Sequence, residues 1–130
     1  MADLTIQPLR RGLDPKEREQ LTFKDFRLTR LEALEDGVAV SRPDAGQRTP
    51  DGAVKYTTAP TVAHLSAAIG VASSSLRTYE AGTAAPRLEI GPMCEFSAAL
   101  GLTVEELNCL IVNSAREGAE ERRRKAAENS

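Results

Sequence analysis

The stretch LSAAIGVASSSLRTYEAG, residues 65–82, leaves the chain little choice of local structure. Apolar residues recur at helical spacing on both sides of Gly70, so one helix stops there and another starts within a few residues. Leu76 and Tyr79 fall on one side of the second helix, and Gly82 ends it. That leaves the run Ser73, Ser74 and Ser75 at its opening, and what those hydroxyls face becomes the functional question.

The flanking segments supply core for this pair. Leu4, Ile6 and Leu9 alternate around Pro8, so residues 1–13 read as an extended arm laid on the domain or on a second subunit. Asp14, Pro15 and Glu17 form a helix start. TFKDFRLTRLEALEDG then restarts or continues that helix, with Thr22 as cap, Phe23, Phe26, Leu31 and Leu34 as a broad apolar face and Gly37 as its end. From Val38 to Thr58 the pattern becomes VAVSR, PDAGQRTPDG and AVKYTT, which suits either a β-hairpin with a loose tip or a disordered surface loop. Thr61 caps the next helix, which turns Val62, Leu65, Ala68 and Ile69 to one side. Pro92 opens a further helix carrying Met93, Phe96 and Leu100 and stopped by Gly101. Thr103 and Glu106 make a capping box for the last, striped by Val104, Leu107, Leu110 and Ile111. After Ser114 the chain turns charged, and the pairs Glu120 with Arg124 and Glu121 with Lys125 would extend it as a solvated spike. The expected division is an arm and short helix over 1–21, a helical domain over 22–114 with an insertion at 37–60, and a charged tail over 115–130.

Several function classes are excluded. One hundred and thirty residues suit a single domain, and three Phe, two Tyr and no Trp imply an aliphatic, helical core without a deep aromatic pocket. No run resembles a membrane span, and Arg10 and Arg11 are followed by GLDPKEREQ instead of an apolar segment, so neither a secretory nor a twin-arginine signal is expected and the cytosol is. Cys94 and Cys109 are remote from each other and from His64, which removes metal-ligand and redox spacing and makes both small buried hydrophobes. His64 itself reads as a surface histidine. No nucleophile has a base at useful spacing and no carboxylate pair suits a pocket wall, so no enzyme, metal or cofactor is expected. The net charge of −2 hides a segregation. Arg42, Arg48 and Lys55 outnumber Asp44 and Asp51 in the insertion, and the tail carries RRRK. Residues 61–107 hold only Arg77 and Arg87 against Glu80, Glu89, Glu95, Glu105 and Glu106.

The helix pair, with Leu65, Gly70, Val71, Leu76 and YEAG ending at Gly82, then Pro86 and FSAALGLTVEEL from Phe96 to Leu107, resembles the Cro and phage-repressor type (xenobiotic-response-element type, XRE) helix-turn-helix family. The resemblance covers residues 61–107 well and the first helix loosely. It implies an all-α, five-helix lambda-repressor-like DNA-binding domain, here with a wing-like hairpin insertion between the first two helices. Small Ser66 and Gly70 let the pair cross steeply, so that the second helix protrudes. Departures from the family are Val62 in place of glutamine, Ser66 in place of alanine and Ala72 in place of a capping hydroxyl, which makes Ser73 the candidate cap. Two extra residues around IGP also lengthen the connection to the next helix.

By that resemblance Ser73, Ser74, Arg77 and Thr78 face base edges in the major groove, Arg77 as the one strong donor and Thr78 with a methyl for thymine. Thr61, Ser75 and Thr83 would contact phosphates, helped by helix N-termini. Glu80 would pair with an arginine of the first helix, for which Arg30 is the candidate. Arg42, Arg48 and Lys55 of the insertion would form a basic wing supplying phosphate contacts that the acidic helical core lacks. The expected protein is a sequence-specific regulator of transcription, a repressor, binding double-stranded DNA as a homodimer through Leu110, Ile111 and Ala115, in a prokaryotic, nucleoid-associated setting. The alternative is a protein-binding helix-turn-helix module, an antitoxin or an adaptor to the transcription machinery, for which the acidic balance of 61–107 speaks.

Overall fold

A computed structural model describes residues 4–83 and 90–129, with every side chain in those ranges except those at 45–47, 90 and 92. Pro86, Arg87 and Glu89 lie outside the described residues. The fold is mixed α/β and not the expected all-α, five-helix domain: six helices and five strands occur among the described residues.

The difference begins at the amino terminus. The arm is strand β1, Leu4–Pro8, and it pairs antiparallel with β2, Leu31–Glu35, which the helical spacing of Leu31 and Leu34 had assigned to the first helix. Between them lie α1, Pro15–Gln20, and α2, Phe23–Arg30. Both helices start as the sequence dictates. Asp14 and Glu17 form a reciprocal capping box, and the Thr22 hydroxyl accepts from the Asp25 N–H. The Leu9 N–H donates to the Arg30 carbonyl at 2.9 Å, so the returning arm satisfies an orphan carbonyl exactly where α2 would otherwise have continued. From there burial alternates, Leu31 and Ala33 inward and Glu32 and Leu34 partly exposed, which is the period of a strand.

Gly37 ends a strand, not a helix. Asp36 and Gly37 both have positive φ, 51° and 82°, and form the tight turn to β3, Val38–Ala39, which pairs back on β2. The insertion then forms a second antiparallel sheet from β4, Arg42–Arg48, and β5, Val54–Thr57, with an irregularity between Pro43 and Arg48. The expected hairpin is present but shifted: residues assigned to its loose tip are paired, and the reversal is confined to Thr49–Ala53, where the Thr49 N–H donates to the Ala53 carbonyl at 2.9 Å.

The remaining helices are α3, Val62–Ile69, α4, Ser73–Ala81, α5, Ile90–Ala99, and α6, Val104–Glu128. Their apolar faces meet around Phe23, Phe26, Leu31, Leu65, Leu76, Phe96, Leu100, Leu107 and Leu110, and the Phe23 and Phe96 rings lie tilted at 5.9 Å between centroids. Leu110 is fully buried in this core and is therefore no dimer surface, while half-buried Ile111 packs against it; Ala115 and Val112 are the exposed residues of that stretch. Cys94 is exposed and Cys109 half-buried, contrary to the expected burial of both. Their neighbours on the apolar stripes, Phe96 and Leu110, occupy the core positions instead.

Two features tie α6 to the rest. Glu106, 4 % exposed, accepts from the Thr103 N–H at 3.0 Å and from the Leu13 N–H at 2.5 Å, with the Arg18 guanidinium 3.6 Å away. At the other crossing, α4 and α6 meet backbone to backbone. A Cβ at Gly82, whose φ is +74°, would overlap the Ser114 carbonyl, and one at Gly118 would overlap the Ala81 carbonyl. Ser114 uses its hydroxyl to accept from the Phe23 N–H at 2.8 Å, so α2, α4 and α6 converge on one point.

Gly118→Ala should destabilise the protein by about 1–3 kcal/mol in urea denaturation, because a buried backbone contact must open. Glu106 carries a second prediction. Burial raises its pKa, but hydrogen bonds from Thr103 and Leu13 outweigh this and leave it below the ordinary 4.5. Glu17, held by Asp14 and Arg30 against the same burial, is lowered too. The unfolded chain therefore takes up these protons more readily. Their stabilisation is complete above about pH 4.5 and is lost as pH falls through the lowered values. In acid titrations followed by circular dichroism, Glu106→Gln should start from a lower stability at neutral pH and lose less of it on acidification than the parent chain.

Candidate nucleic-acid interface

The three-residue connection between α3 and α4 is set by Gly70, which caps α3 in the left-handed region at φ 73° and returns its N–H to the Ser66 carbonyl. A Cβ at Gly70 would meet open space, so conformation and not crowding calls for glycine there. Ser66 is buried at the crossing, and its hydroxyl lies 2.8 Å from that of Ser73. Ser73 is thus inside α4 and joined to α3; Ala72 occupies the cap without a side-chain bond, in place of the capping serine expected. The first N–H groups of α4 consequently have no side-chain acceptor.

The rest of α4 sorts by face. Leu76 is fully buried and Tyr79 packs against the core. Ser74, Arg77 and Thr78 are exposed, Ser75 half-exposed. The Thr78 hydroxyl donates to the Ser75 carbonyl at 2.7 Å, leaving its methyl and an oxygen lone pair for a ligand. Ser74 and Arg77 form no hydrogen bond or ion pair among the described residues. Of the four base-edge candidates, Ser73 is therefore engaged by Ser66, while Ser74, Arg77 and Thr78 form an outward polar surface. Thr83, just past the left-handed Gly82, is exposed and its hydroxyl lies 3.4 Å from the Thr78 carbonyl.

The partner of Glu80 is Arg27 and not Arg30. Arg27 Nε and Nη2 donate to the two Glu80 carboxylate oxygens at 2.8 and 3.1 Å, and both side chains are 8 % exposed. Arg27 Nη1 also donates to the Pro60 carbonyl at 2.9 Å, directly ahead of α3. Arg30 sits one turn later, where α2 meets the arm. It binds Glu17 at 2.7 Å and the Gly12 carbonyl at 2.7 Å, and lies 5.8 Å from the centre of the Phe26 ring.

In front of the Arg27–Glu80 pair is an open groove of about 440 Å³ at the amino end of α3, lined by Lys24, Arg42, Asp44, Thr61, Val62 and Arg77 among others. Thr61 caps α3 by accepting from the His64 N–H at 3.1 Å, which leaves its own O–H to donate. His64 is half-buried, with Nδ1 enclosed and unpaired among the described residues. Three cations from α2, β4 and α4 thus surround the positive end of α3 against one carboxylate, Asp44. Arg42 is anchored there by its Nε, which donates to the Ala59 carbonyl at 2.8 Å.

The insertion's other two cations are placed differently. Arg42 is paired opposite Thr57, so it shares a hairpin face with Lys55; Arg48 is opposite Val54 and shares the other face with Tyr56. Arg48 donates to the Gly52 carbonyl at the tip, outside the groove. Lys24 was not anticipated. A lysine in the first turn of a helix opposes the helix dipole, and that is the sole local sign that it serves something else. No helix among the described residues is long and apolar enough to cross a membrane, and none of their side chains cluster as metal ligands. Comparison with protein-family models, with curated proteins and with solved structures finds no match to this chain.

Removing one half of the buried pair leaves the other as an uncompensated charge. Arg27→Ala should cost about 3–5 kcal/mol in chemical denaturation, and the double variant Arg27→Met with Glu80→Leu markedly less than the two single losses combined.

Proposed function

We propose that this chain is a sequence-specific, double-stranded DNA-binding regulator of transcription, a repressor, in which α3 and α4 act as a helix-turn-helix and α4 enters the major groove. The observation that carries this reading is the convergence of Lys24 and Arg42 on the capped amino end of α3, next to Arg77 on the exposed face of α4. Cations from two separate elements around a helix N-terminus suit a backbone phosphate. A phosphate held there sets the register of the neighbouring α4 against base edges. In that register Arg77 is the strong donor to guanine, with Ser74 and Thr78 beside it. Thr61 and Thr83 sit at the two outer ends of the helix pair, where the flanking phosphates of one groove would run.

As a homodimer the protein would read half-sites about 34 Å apart. With Leu110 taken up by the core, Val112, 51 % exposed, and Ala115 are apolar residues α6 leaves for such a contact in that stretch. A protein-binding role draws support from one specific feature. Val54 and Tyr56 are exposed on the hairpin face that also bears Arg48, and aromatic residues with arginine are common anchors of protein interfaces.

The test is a fluorescence-anisotropy titration against DNA flanking the protein's own gene and against a random-sequence pool, at several salt concentrations. Arg77→Ala should weaken binding to the preferred sequence by about 1–3 kcal/mol and narrow its margin over the pool. Lys24→Gln should weaken all sequences alike and reduce the steepness of log affinity against log salt by about 0.9. Absence of salt-dependent binding to either DNA sample would sink the DNA reading and turn attention to the Tyr56 face.

A further inference from the structure

The carboxyl-terminal part of α6 has no packing role. From Glu120 to Asn129 every residue is exposed, and the helix runs roughly 15 Å beyond its crossing at Gly118. Its sequence places Arg122, Arg123, Arg124 and Lys125 in succession. Such a run on an unpacked helix is commonly only a solvated face, so its position relative to the rest of the molecule decides what it does.

That position is fixed by the backbone crossing. α6 passes the end of α4 at Gly82 and Gly118, one residue from Thr83, and the Arg122 guanidinium lies back along Gly118, beside the Ala81 carbonyl. At the same crossing a hollow of about 260 Å³ is lined by Lys24, Asp25, Glu80, Glu117 and Glu121. Lys24 borders this hollow and the basic groove at α3 alike. The projection therefore leaves the domain beside the carboxyl-terminal end of the helix assigned to DNA and next to Thr83, past a hollow in which Lys24 stands among four carboxylates, so any cationic character there has to come from the projection's own arginines. Glu121 faces the hollow and lies 3.6 Å from Lys125. Arg123 and Arg124 form no ion pair or hydrogen bond among the described residues.

We propose that the projecting end of α6 is a second DNA contact, an arm that lies along the phosphate backbone of the duplex held by α4 and grips it through Arg123 and Arg124. This rests on the DNA-binding reading above. The arm's long, exposed arginines, about 100° apart on the helix, present charge to a backbone without demanding a fixed geometry. They add affinity and salt dependence and carry no base recognition.

The experiment compares the full chain with Arg123→Gln/Arg124→Gln and Arg123→Lys/Arg124→Lys on one duplex long enough to extend well past the helix-turn-helix footprint. Anisotropy is recorded across a fourfold range of salt, and helicity is checked by circular dichroism. The glutamine variant should lose about 1.8 from the magnitude of the salt slope, so that the fourfold rise in salt costs it roughly tenfold less affinity than it costs the parent. The lysine variant should keep the parent slope, and the preference between matched and random DNA should be unchanged in both. A parent chain that binds with an unaltered slope in the glutamine variant overturns the arm and leaves the DNA reading standing. Equal loss in both variants also overturns it, since charge would not be what matters. A parent chain without salt-dependent DNA binding overturns arm and reading together.

Discussion

The placement of α3 and α4 depends on one guanidinium. Apolar burial of Phe26, Leu65 and Leu76 draws the helices together, but such burial is non-directional and tolerates sliding. Arg27 removes that freedom. Its fork holds both oxygens of Glu80 on α4 and its remaining nitrogen holds the Pro60 carbonyl ahead of α3, so three elements share one planar group. Burying two charges is costly, and the offset comes from the bidentate geometry and the third bond. The interaction is better understood as fixing an orientation than as adding net stability.

Because Arg27 is neutralised, the charge that a ligand meets comes from around it. α4 presents few strong hydrogen-bonding groups of its own: Ser73 is held by Ser66, and the Thr78 hydroxyl donates to the Ser75 carbonyl. The cations stand on α2 and β4 as well as on α4. On the DNA-binding reading proposed above, positioning falls to the scaffold and base reading to the helix. Of the insertion's cations, Arg42 belongs to the groove and Arg48, on the opposite face of the hairpin, does not.

What the sequence revealed was mostly local. Asp14, Thr22, Thr61 and Thr103 each cap a helix as their spacing implies, because a cap is decided within four residues. The Leu31–Glu35 segment is ambiguous in sequence because Leu31 with Leu34 fits a helix as well as Leu31 with Ala33 fits a strand. The deciding partner, β1, is more than twenty residues away. Asp36-Gly37, in contrast, is a hairpin signal within the sequence itself, although its glycine suits a helix end as well. In the candidate site, Ser74, Arg77 and Thr78 were legible from the face opposite Leu76. Choosing Arg27 over Arg30 as the partner of Glu80 required knowing that α2 stops at Arg30 and hands that residue to the arm.

The bond from the Leu13 N–H to Glu106 spans 93 residues. Closing a flexible loop of that size costs about 4 kcal/mol of chain entropy, little of it sensitive to small changes in length. The same separation imposes an order of events during synthesis. Leu13 and α1 acquire this anchor only after the start of α6 has emerged from the ribosome, whereas the bonds of Arg30 to Glu17 and Gly12 can form as soon as α2 is made, so this segment is secured in two stages.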